Sequence, residues 1–276
     1  MAAERHAGRG LRLSLDAKNR RPQEIMVFFQ QYGAQRTGTN YSKDLFNKNY
    51  KNLQIIEFLN SKHHVPREGP YVLGSSAQAY LEENYTPEKR QEVRNAIFQQ
   101  SIKNLVIIRN PYAWIDSLWR IGLEMEHGAD SYIYFQQPPS KQNNVSWLLL
   151  RPSLEEQAPA VKNSIISYNE RYRQWFGMSH EIVRQEDLLM SFERVLEYFE
   201  QKYHLHRREH SLTNVNETRG PHIQIGTETR DKNFYKDYYL NDKYMSRLPP
   251  NTIKLITETV DWELFKEVGY YPYSRC

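Results

Sequence analysis

The chain has 276 residues, 39% of them hydrophobic, a net charge of +4 and a single cysteine, Cys276. One cysteine excludes an intrachain disulfide and any cysteine-built metal site, and no apolar run reaches the roughly 18 residues of a membrane span. The small, scattered basic excess gives no argument for a nucleic-acid groove but suits a small anionic ligand. With no secretory apolar segment near the N-terminus, the expectation is a soluble protein of a reducing, cytoplasmic compartment. The length suits one large α/β domain or two small ones.

Residues Met1 to Pro22 are polar and basic without apolar periodicity, which predicts a flexible arm. Ile25 to Phe29 is β-prone and runs into a turn carrying Gly33 and Gly38; the polar stretch Thr39 to Asn49 can then open a helix. Strand, glycine loop and helix N-terminus make a phosphate cradle, because loop N–H groups converge and the helix dipole adds partial positive charge. Arg36 lies inside the loop and offers a fork of donors to anionic oxygens. The nucleotide-triphosphatase loop, G-x-x-x-x-G-K-[ST], is not matched: Thr39 and Asn40 replace its Lys and Ser/Thr. Read alone, a two-glycine loop fits an ordinary turn at least as well as a ligand site.

A second strand is predicted at Leu53 to Phe58 and carries Glu57; S-K-H-H-V-P follows at Ser61 to Pro66. Thr86-Pro87 starts a helix reaching Gln100, and the apolar run Leu105 to Ile108 reads as a strand buried on both faces. Arg109 ends that strand, Asn110 and Pro111 suit the N-cap and first position of a helix, and Ser117 falls about two turns in. An arginine at a strand end and a hydroxyl on the next helix can both reach one anion, although a surface ion pair and a helix-face serine are the plain alternative.

The pattern breaks from Gly122 to Val161, where aromatic residues are dense; this predicts a lid or substrate loop, or an aromatic surface packed on the main domain. The cluster Tyr235, Tyr238, Tyr239 and Tyr244 carries the same two readings. Tyr168 to Leu189 reads as helix, strand and Q-E-D-L, and Val260 to Tyr270 as a final amphipathic helix with Trp262, Leu264 and Phe265 in the core. Alternating strands and helices imply a parallel sheet with ligands at the C-terminal strand ends.

Together, R-T-G-T-N at Arg36 to Asn40, R-N-P-x-x-x-x-x-S from Arg109 to Ser117 and K-x-H at Lys62 to His64 resemble the PAPS-dependent sulfotransferases over roughly residues 25–271. The resemblance implies a P-loop-like three-layer α/β/α domain over residues 23–276 with a central parallel sheet. It implies transfer of a sulfonate group from 3′-phosphoadenosine 5′-phosphosulfate (PAPS) to a hydroxyl or amine of a small-molecule or saccharide acceptor. Adenosine 3′,5′-bisphosphate (PAP) would be the product, and no metal would take part. By resemblance Arg36, Thr37, Gly38, Thr39 and Asn40, with Tyr41 beside them, hold the 5′ end, and Arg109 and Ser117 hold the 3′-phosphate. His64 would be the general base, and Lys62, with Arg36, would offset charge on the sulfonate and the leaving phosphate. An imidazole titrating near neutrality and an ammonium beside a departing anion suit those roles. Glu57 and the adjacent His63 are further candidates for the base.

The chain departs from the family's pattern in three places. Arg36 stands where many cytosolic members carry Lys, and Gln185 replaces the Tyr of Y-E-D-L. The R-K-G-x-x-G segment that helps bind the 3′-phosphate is missing, and Arg219, Arg230 or Lys232 is the expected substitute. A monomer or homodimer with no nucleic-acid partner is expected. The competing readings are a kinase-like phosphoryl transferase on the same plan and a non-catalytic nucleotide-binding module.

Overall fold

The computed structural model describes residues 25–56, 59, 74–126, 153–215 and 232–274. The arm at 1–22 and the residues Glu57, Lys62, His63, His64, Arg219 and Arg230 lie outside them, as does the aromatic stretch 127–152.

Four parallel strands form the sheet of the described residues: β1 (Val27–Tyr32), β2 (Leu53–Ile56), β3 (Lys103–Ile108) and β4 (Glu181–Arg184), in spatial order β2-β1-β3-β4. The helices are α1 (Thr39–Asn49), α2 (Ser75–Asn84), α3 (Pro87–Phe98), α4 (Pro111–Glu126), α5 (Ala158–Met178), α6 (Gln185–Tyr203), α7 (Lys232–Leu240), α8 (Pro250–Thr259) and α9 (Trp262–Lys266). None of them is long and apolar enough to cross a membrane.

The period-two alternation of β3 sends its side chains into two separate cores. Leu105 and Ile107 pack with Leu45 and Phe46 of α1 and with Leu188, Leu196 and Phe199 of α6. Val106 and Ile108 join Tyr112 of α4, Tyr168, Tyr172 and Trp175 of α5, and Phe265 of α9. An apolar core on each face of a parallel sheet is the arrangement of an α/β/α sandwich.

The strand order sets the position of the site. The chain leaves β1 for β2 on one side and returns to β3 on the other, so β1 lies between them. Gln31 and Tyr32 pair with Leu105 and Val106, which brings the loops after β1 and β3 side by side at the C-terminal strand ends. A reversal of strand order of this kind opens the crevice in which α/β proteins bind ligands.

Several boundaries differ from expectation. The break expected at Gly122 is absent, since α4 runs on to Glu126, and Ala158 to Val161 already form the first turn of α5. A glycine inside a helix costs about 1 kcal/mol but does not end it. The final helix is short, Trp262–Lys266; Phe265 is buried, and Trp262 and Leu264 pack partly buried against the core.

Candidate functional site: a buried arginine cluster

The β1–α1 loop is pinned from several directions. Thr37 donates both its backbone N–H, at 3.3 Å, and its hydroxyl, at 2.7 Å, to the Ala34 carbonyl. From β1, Gln31 Nε2 reaches Thr39 O and Ser42 Oγ, each at 2.8 Å. From α5, the Tyr172 hydroxyl accepts the Ala34 N–H at 3.2 Å and donates to the Ile107 carbonyl at 2.8 Å. From α4, Trp114 Nε1 donates to Gln35 O at 2.8 Å. A Cβ on Gly33 would lie 2.7 Å from the Ile107 carbonyl oxygen, so only glycine fits between loop and sheet. Arg36 and Gly38 both adopt positive φ, 69° and 89°, and for a non-glycine residue that conformation is uncommon. Gly38 is also the N-cap of α1, which no described side chain caps.

Arg36 turns from this loop toward the second motif, and its Nε donates to Ser117 Oγ at 3.4 Å. Arg109 and Ser117 are only 5% and 1% exposed. Asn110 Oδ1 accepts the Tyr112 N–H at 3.0 Å and so caps the start of α4, which carries Ser117 inward. Arg109 Nε donates to Gln185 Oε1 at the start of α6, and Nη1 donates to the Tyr239 hydroxyl of α7 at 3.2 Å. The Tyr239 ring covers the Arg109 guanidinium, with 4.3 Å between Cζ and the ring centre.

A third arginine, Arg120, joins the cluster one turn beyond Ser117. Its Nη2 donates to the Tyr239 hydroxyl at 2.5 Å, and its Nε to Asp116 Oδ2 at 2.9 Å. Asp116 is fully buried and also accepts the Tyr238 hydroxyl at 2.9 Å. Arg247 reaches its other oxygen at 3.4 Å.

The charges act on one another. Arg36 is open to solvent on one side, but the surrounding protein partly desolvates it, and that desolvation, followed by the Arg109 charge, lowers its pKa. Burial alone would raise the Tyr239 phenol; Arg109 and Arg120 more than offset it and leave its pKa below the ordinary value. Burial opposes the charge on Arg120, yet Tyr239 and Asp116 hold its pKa above the ordinary value. Arg36, Arg109 and Arg120 thus gather about Tyr239, with Asp116 paired to Arg120 and Arg247, and the cluster carries positive charge that an anion can neutralise.

Arg36, Thr37, Gly38, Thr39, Arg109 and Ser117 are brought together as expected of two adjoining motifs, and Asn40 is exposed at the loop's outer edge. Tyr41 turns away: its hydroxyl donates to Asn214 at 2.9 Å, and burial pushes its pKa up to about 12. Arg120 and Asp116 were missed by sequence reasoning, Gln185 was noticed only as a departure from Y-E-D-L, and Tyr239 only as part of an aromatic cluster. Arg120 could have been found, because a residue three after Ser117 shares its helix face. Two surface hollows, of about 490 and 360 Å³, lie along β4 and α6, and none of Arg36 to Asn40, Arg109 and Ser117 lines them.

No sequence model of a known protein family matches this chain, and no curated protein is significantly similar to it.

Proposed function

We propose that this protein is a PAPS-dependent sulfotransferase with a P-loop-like fold. The observation that carries the proposal is the meeting of the two motifs: Arg36 from the β1–α1 loop touches Ser117, and Ser117 and Arg109 both contact Tyr239 within one arginine cluster. A donor with phosphate at both its 5′ and 3′ ends needs two anion sites held at a fixed distance, and neighbouring loops at a strand-order reversal meet that need.

In this reading Gly38, Thr39 and Asn40 cradle the 5′-phosphate, and Arg109 and Ser117 hold the 3′-phosphate. Arg36, together with Lys62, offsets charge on the sulfonate and on the departing phosphate oxygen. His64 takes the acceptor's proton as the acceptor oxygen or nitrogen attacks sulfur and the sulfur–oxygen bond to the phosphate breaks. Catalysis is then largely positioning and electrostatic stabilisation.

Titration calorimetry with adenosine 3′,5′-bisphosphate against adenosine 5′-monophosphate tests the reading. Clearly tighter binding of the bisphosphate is expected, followed by label transfer from PAPS to an acceptor that His64→Ala abolishes. Equal or absent binding of the two nucleotides would overturn it.

A further inference from the structure

The clamp residues are not open to a ligand. Arg109, Ser117 and Arg120 are 5%, 1% and 6% exposed, and what lies over them is Tyr239, itself 4% exposed. Its hydroxyl takes a donor from each of Arg109 and Arg120, and it shares a hydrogen bond with Ser117. Those are the groups that would hold a phosphate oxygen, so the phenol oxygen occupies an anion's position.

We propose that Tyr239 is an internal occupant of the anion clamp, and that α7 is a cover that has to withdraw before the 3′-phosphate can enter. This rests on the anion-site reading above and adds a competing group supplied by the chain itself. A neutral phenol oxygen is a weaker partner for two guanidinium groups than a phosphate dianion, because only the dianion brings full negative charge and several acceptor oxygens to the buried cations. The exchange therefore runs in the ligand's favour, while Tyr239 leaves neither buried arginine without an acceptor.

The aromatic residues of α7 make it move as a unit. Phe234 stacks on Tyr238 and Tyr235 on Tyr239, with ring centres 5.6 and 6.3 Å apart, and Tyr238 is tied to Asp116. The Tyr239 ring also packs on Tyr238, Tyr244 and the Arg109 guanidinium, so in this proposal it leaves the clamp together with the helix. The apparent affinity for the anion is then reduced by the fraction of molecules in which α7 is open.

Tyr239→Phe keeps the ring and removes the competitor. Titration with adenosine 3′,5′-bisphosphate is expected to show about tenfold tighter binding by Tyr239→Phe than by the wild type, equivalent to about 1.4 kcal/mol. Amide hydrogen exchange on the wild-type protein gives an independent readout, with residues 232–240 exchanging faster once the nucleotide is bound. Unchanged binding by the variant, or slower exchange in α7, would overturn the proposal, and weaker binding would make Tyr239 a ligand rather than an occupant. Inorganic pyrophosphate, run in parallel, separates the two readings. If neither protein binds the bisphosphate but the variant binds pyrophosphate more tightly than wild type, the nucleotide reading falls and the displacement stands. If both proteins bind the bisphosphate equally, the displacement falls and the nucleotide reading stands. No binding of either anion by either protein overturns both.

Discussion

Gln185 fills the space that a side chain on Gly38 would need: a Cβ built on Gly38 would lie 2.8 Å from Gln185 Cδ. The same glutamine accepts from Arg109 Nε, so one residue at the start of α6 touches both halves of the site. Glu186 beside it accepts the Asn110 N–H at 3.0 Å and ties α6 to the start of α4.

Gly38→Ala should therefore fail twice. A left-handed conformation costs an L-residue about 1–2 kcal/mol, and the added methyl drives Gln185 off Arg109. We expect the melting temperature to fall by several degrees and bisphosphate affinity to drop at least tenfold, by scanning calorimetry and titration. A variant that melts and binds like the wild type would mean that this contact does not shape the clamp.

Gln185→Glu separates folding from anion binding. A carboxylate pairs with Arg109 better than the amide does, so stability is expected to hold or rise slightly. The same charge neutralises the cluster from within, so affinity for the bisphosphate should fall by about tenfold or more. Gln185→Leu should lose both, because the Arg109 Nε–H is then buried without an acceptor at a cost of about 1–3 kcal/mol. Parallel denaturant melts and titrations of the two variants check the split.

These two variants also mark where sequence reasoning stopped. The loop from Gly33 to Asn40 and the pair Arg109 and Ser117 were legible because their signals are local: a strand, then turn residues, then a helix start. Gln185 was legible only as a departure from Y-E-D-L, and its bond to Arg109 spans 76 residues of sequence. Tyr239 lies 130 residues from Arg109. Nothing in the spacing of four tyrosines says which one faces an arginine, because long-range packing decides it. The helix running through Gly122 was missed for a different reason, since one glycine is a weak helix breaker when its neighbours favour helix.

Asp116→Asn tests the charge balance of the cluster. Asp116 is buried with Arg120 at 2.9 Å, and removing one partner of a buried pair costs about 3–5 kcal/mol. We expect a marked fall in melting temperature without ligand. Because the variant has lost its internal counter-charge, added bisphosphate should raise its melting temperature by more than it raises the wild type's. Equal ligand-induced shifts would mean that Asp116 does not set the charge seen by the anion.

Tyr239 faces Arg109 at the end of β3, Arg120, Asp116 and Ser117 on α4, Tyr238 on its own helix, and Arg36 from the β1–α1 loop. Burial would raise its pKa, but Arg109 and Arg120 bring it below the ordinary phenol value of about 10. A group ionising more readily in the folded state than in the unfolded chain adds stability that is complete above the unfolded pKa and is lost as pH falls through the folded one. The stability of the wild type relative to Tyr239→Phe should therefore grow as pH rises toward the ordinary phenol value of about 10, measured by denaturant melts at matched ionic strength. Tyrosinate absorbance should show one phenol ionising ahead of the rest in the wild type and not in the variant. A stability difference that is flat across that window would mean that the Tyr239 proton stays in place, and that the two arginines are held by a neutral hydroxyl alone.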